Sequence, residues 1–100
     1  MKGITLIVPV FNEEGNIRRI QDEVNGYKNI SKLDVFTLFV DDGSKDESLN
    51  RIKGVCSSDN SFGYISFESN KGLSTAIRAG FDHAHTDWVG YIDADLQTDP

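Results

Sequence analysis

The chain has 100 residues, 38% of them apolar and 26% charged, with a formal net charge of -6. Those proportions fit one soluble globular unit spanning 1–100, and the acidic balance excludes nucleic acid, whose phosphates need clustered Lys and Arg. A lone cysteine, Cys56, rules out an intrachain disulfide, and no apolar run approaches the ~20 residues of a membrane span, so a cytoplasmic setting is expected.

Apolar runs alternate with helical patterns along the whole chain. The first run, Ile4 to Phe11, is nearly continuous and β-branched, as expected of a strand covered on both faces. Its short apolar stretch is broken by Pro9 and lacks a small-residue cleavage site, so it reads as a strand and not a signal peptide. Asn12 to Gly15 form a turn, and Ile17, Ile20, Val24 and Tyr27 then trace one stripe of a helix reaching about Lys28. A second strand, Val35 to Val40, ends at Asp41-Asp42-Gly43-Ser44. Ser44 with Glu47 fits a capping box, opening a helix to about Val55 with Leu49, Ile52, Val55 and Cys56 inward. After a polar loop comes a third strand, Phe62 to Phe67. A third helix begins near Gly72 or Leu73, with Leu73, Ile77, Gly80, Phe81 and Ala84 as its apolar stripe. Trp88 to Ile92 form a fourth strand, with Trp88 expected in core or edge packing.

The predicted fold class is α/β: an open parallel sheet of alternating βα units, Rossmann-like. In such sheets ligands sit beyond the carboxyl ends of the strands, where the winding direction reverses. The polar residues gather at those ends. Pro9 near the end of the first strand fits a place where a ladder donor is dispensable, and Asn12 and Glu13 follow it. Glu13 is expected near a base or sugar, since a carboxylate repels phosphate. Asp41 and Asp42 follow the second strand, and a carboxylate there can accept a base N–H or a ribose hydroxyl. Lys71 precedes the third helix and Arg78 lies about two turns along it, both candidates to approach phosphate. Asp93 and Asp95 follow the fourth strand; alternate residues of an extended chain share a face. That pair suits Mg²⁺ or Mn²⁺, hard cations with oxygen ligands, bridging the protein to a nucleotide diphosphate.

Other chemistries lack their residues. No Gly-x-Gly-x-x-Gly follows the first strand, and no Gly-x-x-x-x-Gly-Lys-Ser/Thr loop occurs. A receiver-like regulatory domain would need a late-strand lysine, and none lies beyond Lys71. A phosphatase Asp-x-Asp would follow the first strand and not the fourth. A non-catalytic binding fragment is the remaining rival.

Val8-Pro9-Val10-Phe11-Asn12-Glu13-Glu14, Val40 to Asp46, Asn70-Lys71-Gly72 with Ala76 to Phe81, and Asp93-Ala94-Asp95-Leu96-Gln97 occur in that order. Together they resemble glycosyltransferase family 2, which has the GT-A fold, and look most like its branch acting on polyprenyl phosphates. The resemblance implies an inverting transfer from a UDP- or GDP-linked sugar to a lipid phosphate or a growing glycan. It implies nucleoside contacts near Pro9, Asn12, Glu13, Asp41 and Asp42, and a metal at Asp93 and Asp95 holding the diphosphate. It also implies that the chain is the nucleotide-sugar-binding N-terminal part, with its general base beyond Pro100. Weak donor binding, no turnover alone, self-association through an exposed sheet edge, and work at the cytoplasmic face of a membrane through parts outside the chain are expected on that basis.

Overall fold

The computed structural model describes residues 3–31 and 34–92. Strand β1 (Gly3–Val10) leads through a 3-10 turn at Glu14–Asn16 into helix α1 (Ile17–Ile30). Strand β2 (Asp34–Asp41) is followed by α2 (Ser48–Ser58), and β3 (Phe62–Ser66) by α3 (Leu73–His83). Strand β4 (Trp88–Tyr91) is the last described element. All strand pairings are parallel, in the order β3-β2-β1-β4. The alternating βα reading of the sequence therefore holds, and the predicted strand and helix positions agree within a few residues.

The two central strands are hydrophobic on both faces because helices cover both. Val8, Val10, Val35 and Phe39 pack against Ile17, Ile20 and Val24 of α1 and Ile52 and Val55 of α2. On the other face Ile7, Leu38 and Val40 pack against Ala76 of α3. The rings of Phe39 and Phe62 stack with centroids 6.0 Å apart. Burial of an aromatic or aliphatic side chain of this size is worth about 1.5–3 kcal/mol, so these two clusters fix the strand register.

Four details differ from the sequence reading. Ser44 and Glu47 do not form a capping box: α2 starts at Ser48, Glu47 stands at its N-cap without a side-chain capping bond, and the Ser48 N–H donates to Asp46 Oδ1. The Ser44 hydroxyl is instead taken by the Asn12 N–H at 2.9 Å, a tertiary contact that outcompetes the local cap. Second, α3 turns Ala76 and Gly80 to the sheet and leaves Leu73 and Phe81 exposed. The helix sits so close that a Cβ on Gly80 would lie 2.6 Å from Ile7 Cγ2, so the line of closest approach follows small residues and the large ones flank it. Third, Tyr27 on the α1 stripe is exposed. Fourth, Trp88 is 63% exposed, because β4 lies at an edge of the described sheet, paired only with β1.

Candidate functional site

The strand order places the reversal of winding between β1 and β4, with β2 and β3 on the other side of β1. A groove of about 470 Å³ opens at the carboxyl end of β1. Pro9, Val10, Phe11 and Leu73 give it apolar walls, and Glu13, Asp42 and Asn70 supply its polar groups. Pro9 fits there for a backbone reason. The Ile7 carbonyl accepts the Ile92 N–H on the β4 side, while the Val10 carbonyl accepts the Asp42 N–H on the β2 side. Alternation turns the donor that Pro9 lacks toward the β4 side, past the last described β1–β4 pair at Ile7 and Tyr91.

Asp42 is the best-anchored group of the groove. It is only 4% exposed. Its Oδ1 accepts the Lys71 N–H at 2.6 Å, and its Oδ2 accepts the Gly72 N–H at 3.0 Å and the Asn70 side-chain amide at 3.1 Å. Charge-assisted bonds of this kind are about twice as strong as neutral ones. They tie the loop before α3 to the end of β2. Gly43 makes the approach possible: its φ is +73°, and a Cβ there would stand 2.4 Å from the Ser69 carbonyl carbon.

The loop after β1 is tied as firmly to the loop before α2. Asn12, at φ 54°, donates its N–H to Ser44 Oγ and accepts the Lys45 N–H on Oδ1 at 2.8 Å. The Glu13 N–H donates to Ser48 Oγ at 2.8 Å, and Glu13 Oε1 accepts the Asn16 side-chain amide at 2.8 Å. Asp46 accepts N–H groups from both sides: Ser48, the first residue of α2, on Oδ1 and Glu14, from the loop after β1, on Oδ2. Burial pushes the Asp46 carboxyl upward, but hydrogen bonds from Ser48 and Glu14 outweigh it and hold the group below its ordinary value.

The candidate residues therefore separate. Pro9, Glu13 and Asp42 line the groove. Asn12 is exposed beside it, with its carboxamide engaged by Lys45. Asp41 does not line the groove: it is 1% exposed and lies on the Phe39 face of β2, opposite Ser66, whose hydroxyl is 3.5 Å from Oδ2. Its Oδ1 has no hydrogen-bond partner. Lys71 contributes its backbone N–H to Asp42, and its side chain is exposed; Arg78 is exposed on α3, outside the groove lining. Asp93 and Asp95 lie outside the described residues. Among the described residues no group of three His, Cys, Asp or Glu side chains could hold a metal ion. Sequence reasoning placed Asn70 and Asp46 within motifs but gave neither a site-building role of its own. An Asp-Gly turn ending one strand, answered by an Asn-x-Gly ahead of the next helix, was the available signal for Asn70.

Residues 5–100 match the profile of the family described as Glycosyl transferase family 2. The chain belongs to that family. It is similar to a bactoprenol glucosyl transferase of Shigella phage SfV, 41% identical over 94 residues, which cover 94% of the chain and 31% of the relative. The chain thus spans less than a third of the length of the curated relatives it matches. Among solved structures it resembles the mannosyltransferase PcManGT from Pyrobaculum calidifontis in complex with GDP-Man and Mn²⁺. The TM-score is 0.82 at 23% identity, over 94% of the chain and 28% of that structure. It also resembles S. aureus TarS 1-349 in complex with UDP-GlcNAc, with a TM-score of 0.80 at 22% identity over 93% and 26%. The fold is α/β with an open parallel sheet, like these GT-A glycosyltransferases, as the sequence led one to expect. No described helix is long and apolar enough to cross a membrane.

Proposed function

We propose that the protein containing this chain transfers a sugar, with inversion, from a UDP- or GDP-linked donor to a polyprenyl phosphate or a growing glycan. Residues 1–100 supply the nucleotide's seat. The observation that carries this reading is the groove at the winding reversal, with the Asp42 carboxylate fixed at its edge by three N–H donors. Each carboxylate oxygen accepts more than one hydrogen bond, so Asp42 and Glu13 retain capacity for a base N–H or ribose hydroxyl. Pro9, Val10, Phe11 and Leu73 offer apolar contact to the base. Among the described residues the lining carries acid and no cation, so the diphosphate needs a counter-ion. Asp93 and Asp95 would hold Mg²⁺ or Mn²⁺ there; carboxylate oxygens in an Asp-x-Asp pair are the donor type these ions take. Bound, the ion would stabilise the leaving diphosphate.

The similar proteins support the donor class: one is solved with GDP-Man and Mn²⁺, another with UDP-GlcNAc. The bactoprenol glucosyl transferase supports a lipid-phosphate acceptor, and such an acceptor would place the reaction at a membrane's cytoplasmic face. The exposed β4 edge, with Trp88, Val89 and Tyr91 uncovered, supports self-association of this chain.

Calorimetric titration of the chain with UDP and with GDP, with and without Mn²⁺, tests the reading. Metal-enhanced binding is expected, with the metal-dependent part lost in Asp93→Ala and binding weakened in Asp42→Asn. Failure to bind either nucleotide at millimolar concentration would overturn it.

A further inference from the structure

We propose that Asn12 and Asp46 are positioning residues of the donor groove, resting on the donor reading above: they lock the loop after β1 to the loop before α2, so that Glu13 is held beside Asp42. Three consecutive N–H groups of the first loop go to side chains of the second loop and of the first residue of α2: Asn12 to Ser44 Oγ, Glu13 to Ser48 Oγ and Glu14 to Asp46 Oδ2. Two N–H groups of the second loop return the arrangement, Lys45 to Asn12 Oδ1 and Glu47 to Glu14 Oε1, both at 2.8 Å. These bonds span 32 to 35 positions of sequence. They are made by side chains, since the two loops share no backbone ladder past the Val10 and Asp41 pair.

The two residues do different parts of this. Asn12 holds the loop in the left-handed region at φ 54°, where Asn is tolerated better than other L-residues, and its carboxamide reaches across to Lys45. Asp46 sits between the loops, with one oxygen on Glu14 and the other on the first turn of α2. Glu13 is thereby fixed on both sides and at its own N–H, while its side chain lines the groove that Asp42 also lines. A ligand-binding carboxylate carried on a loop gains affinity when its conformation is set before binding.

Asp46→Asn keeps the size and the Oδ1 acceptor but replaces the acceptor facing Glu14 with an amide donor. Asn12→Gly relieves the positive φ while deleting the acceptor for Lys45. Amide hydrogen exchange at Asn12, Glu13 and Glu14, read by NMR, and titration with UDP and GDP plus Mn²⁺ are measured on each. Asp22→Asn, on the exposed side of α1, is the control. Both loop variants are expected to accelerate exchange throughout the first loop and to weaken nucleotide binding about tenfold, the size of one charge-assisted hydrogen bond. Exchange that rises only at Glu14 in Asp46→Asn, or affinity no lower than in the control, overturns the proposal. Wild-type chain that binds neither nucleotide sinks the donor reading alone, and the exchange pattern then decides by itself whether the loops act as one unit.

Discussion

The carboxylate of Asp42 receives the backbone N–H of Lys71 at 2.6 Å, across 29 positions of sequence. A residue read from sequence as a ligand contact is therefore also the fastener that holds one wall of the groove. Removing it should act on stability and binding together. Asp42→Ala leaves the N–H groups of Lys71 and Gly72 and the Asn70 amide without their acceptor. A loss of about 2–4 kcal/mol in urea unfolding is expected, more than for one ordinary hydrogen bond. Asp42→Asn, which retains one acceptor oxygen, should lose about half as much. Equal and negligible losses in both would show that the clamp carries no weight.

Gly43 and Gly80 test two close approaches. Gly43→Ala forces a side chain at φ +73° against the Ser69 carbonyl carbon, which is backbone and cannot swing aside. Its expected cost is about 2–4 kcal/mol, combining strain at positive φ with overlap. At Gly80 the obstacle is the Ile7 side chain, 2.6 Å from the added Cβ. Gly80→Ala should cost about 1–3 kcal/mol. Combined with Ile7→Ala it should cost less than the sum of the two changes, and strict additivity in the double-mutant cycle would refute the overlap.

Stability should fall in acid through identifiable carboxylates. Asp59 is held below its ordinary value by the Ser61 side chain and N–H, which outweigh its burial, with Lys28 adding a smaller effect. Asp46 is depressed as well. A lowered folded-state value means that the stabilisation is complete above the unfolded value, about 3.9 for Asp, and is lost as pH falls through the folded one. Thermal melts from about pH 6 down to about pH 2, through and below the ordinary carboxylate range, should show a decline that is shallower in Asp59→Asn.

Cys56 should be a poor nucleophile. Burial raises its thiol above the ordinary value, and the nearby Asp59 charge pushes it further the same way. Reaction with a thiol-specific disulfide reagent at about pH 8 is expected to be slower than for free cysteine, because less of the thiol is ionised, and to match it after denaturation. A fast native reaction would contradict the half-buried placement.

The exposed β4 edge carries a prediction of its own. Sedimentation of the chain should reveal self-association that rises with concentration and is reduced by Val89→Lys, a charge on an exposed edge residue. Identical sedimentation of both forms would remove the edge as the cause.

Much of this architecture was legible from periodicity. β1 and β2 are nearly continuous apolar runs because both of their faces are covered, and the stripe Ile17, Ile20, Val24 names the inward side of α1. Glu13 and Asp42 were legible as rim carboxylates because they sit at strand ends. What local pattern could not reveal was competition between distant partners. Ser44 looks like a helix cap until Asn12 arrives to take its hydroxyl. Leu73 and Phe81 look like core until Gly80 lets α3 settle on Ile7. Asp41 and Asp42 are adjacent, yet strand alternation sends one beneath the sheet's helical cover and the other to the groove, a split that only the register decides.

Because Asp42 takes its donors from Asn70, Lys71 and Gly72, the groove is assembled from segments made far apart in time on the ribosome. A nascent polypeptide that has emerged only through β2 owns the floor and one side but nothing to fasten them to. On the proposed donor reading, nucleotide could not act as an early chaperone for this protein; it would select only chains whose third βα unit had already docked.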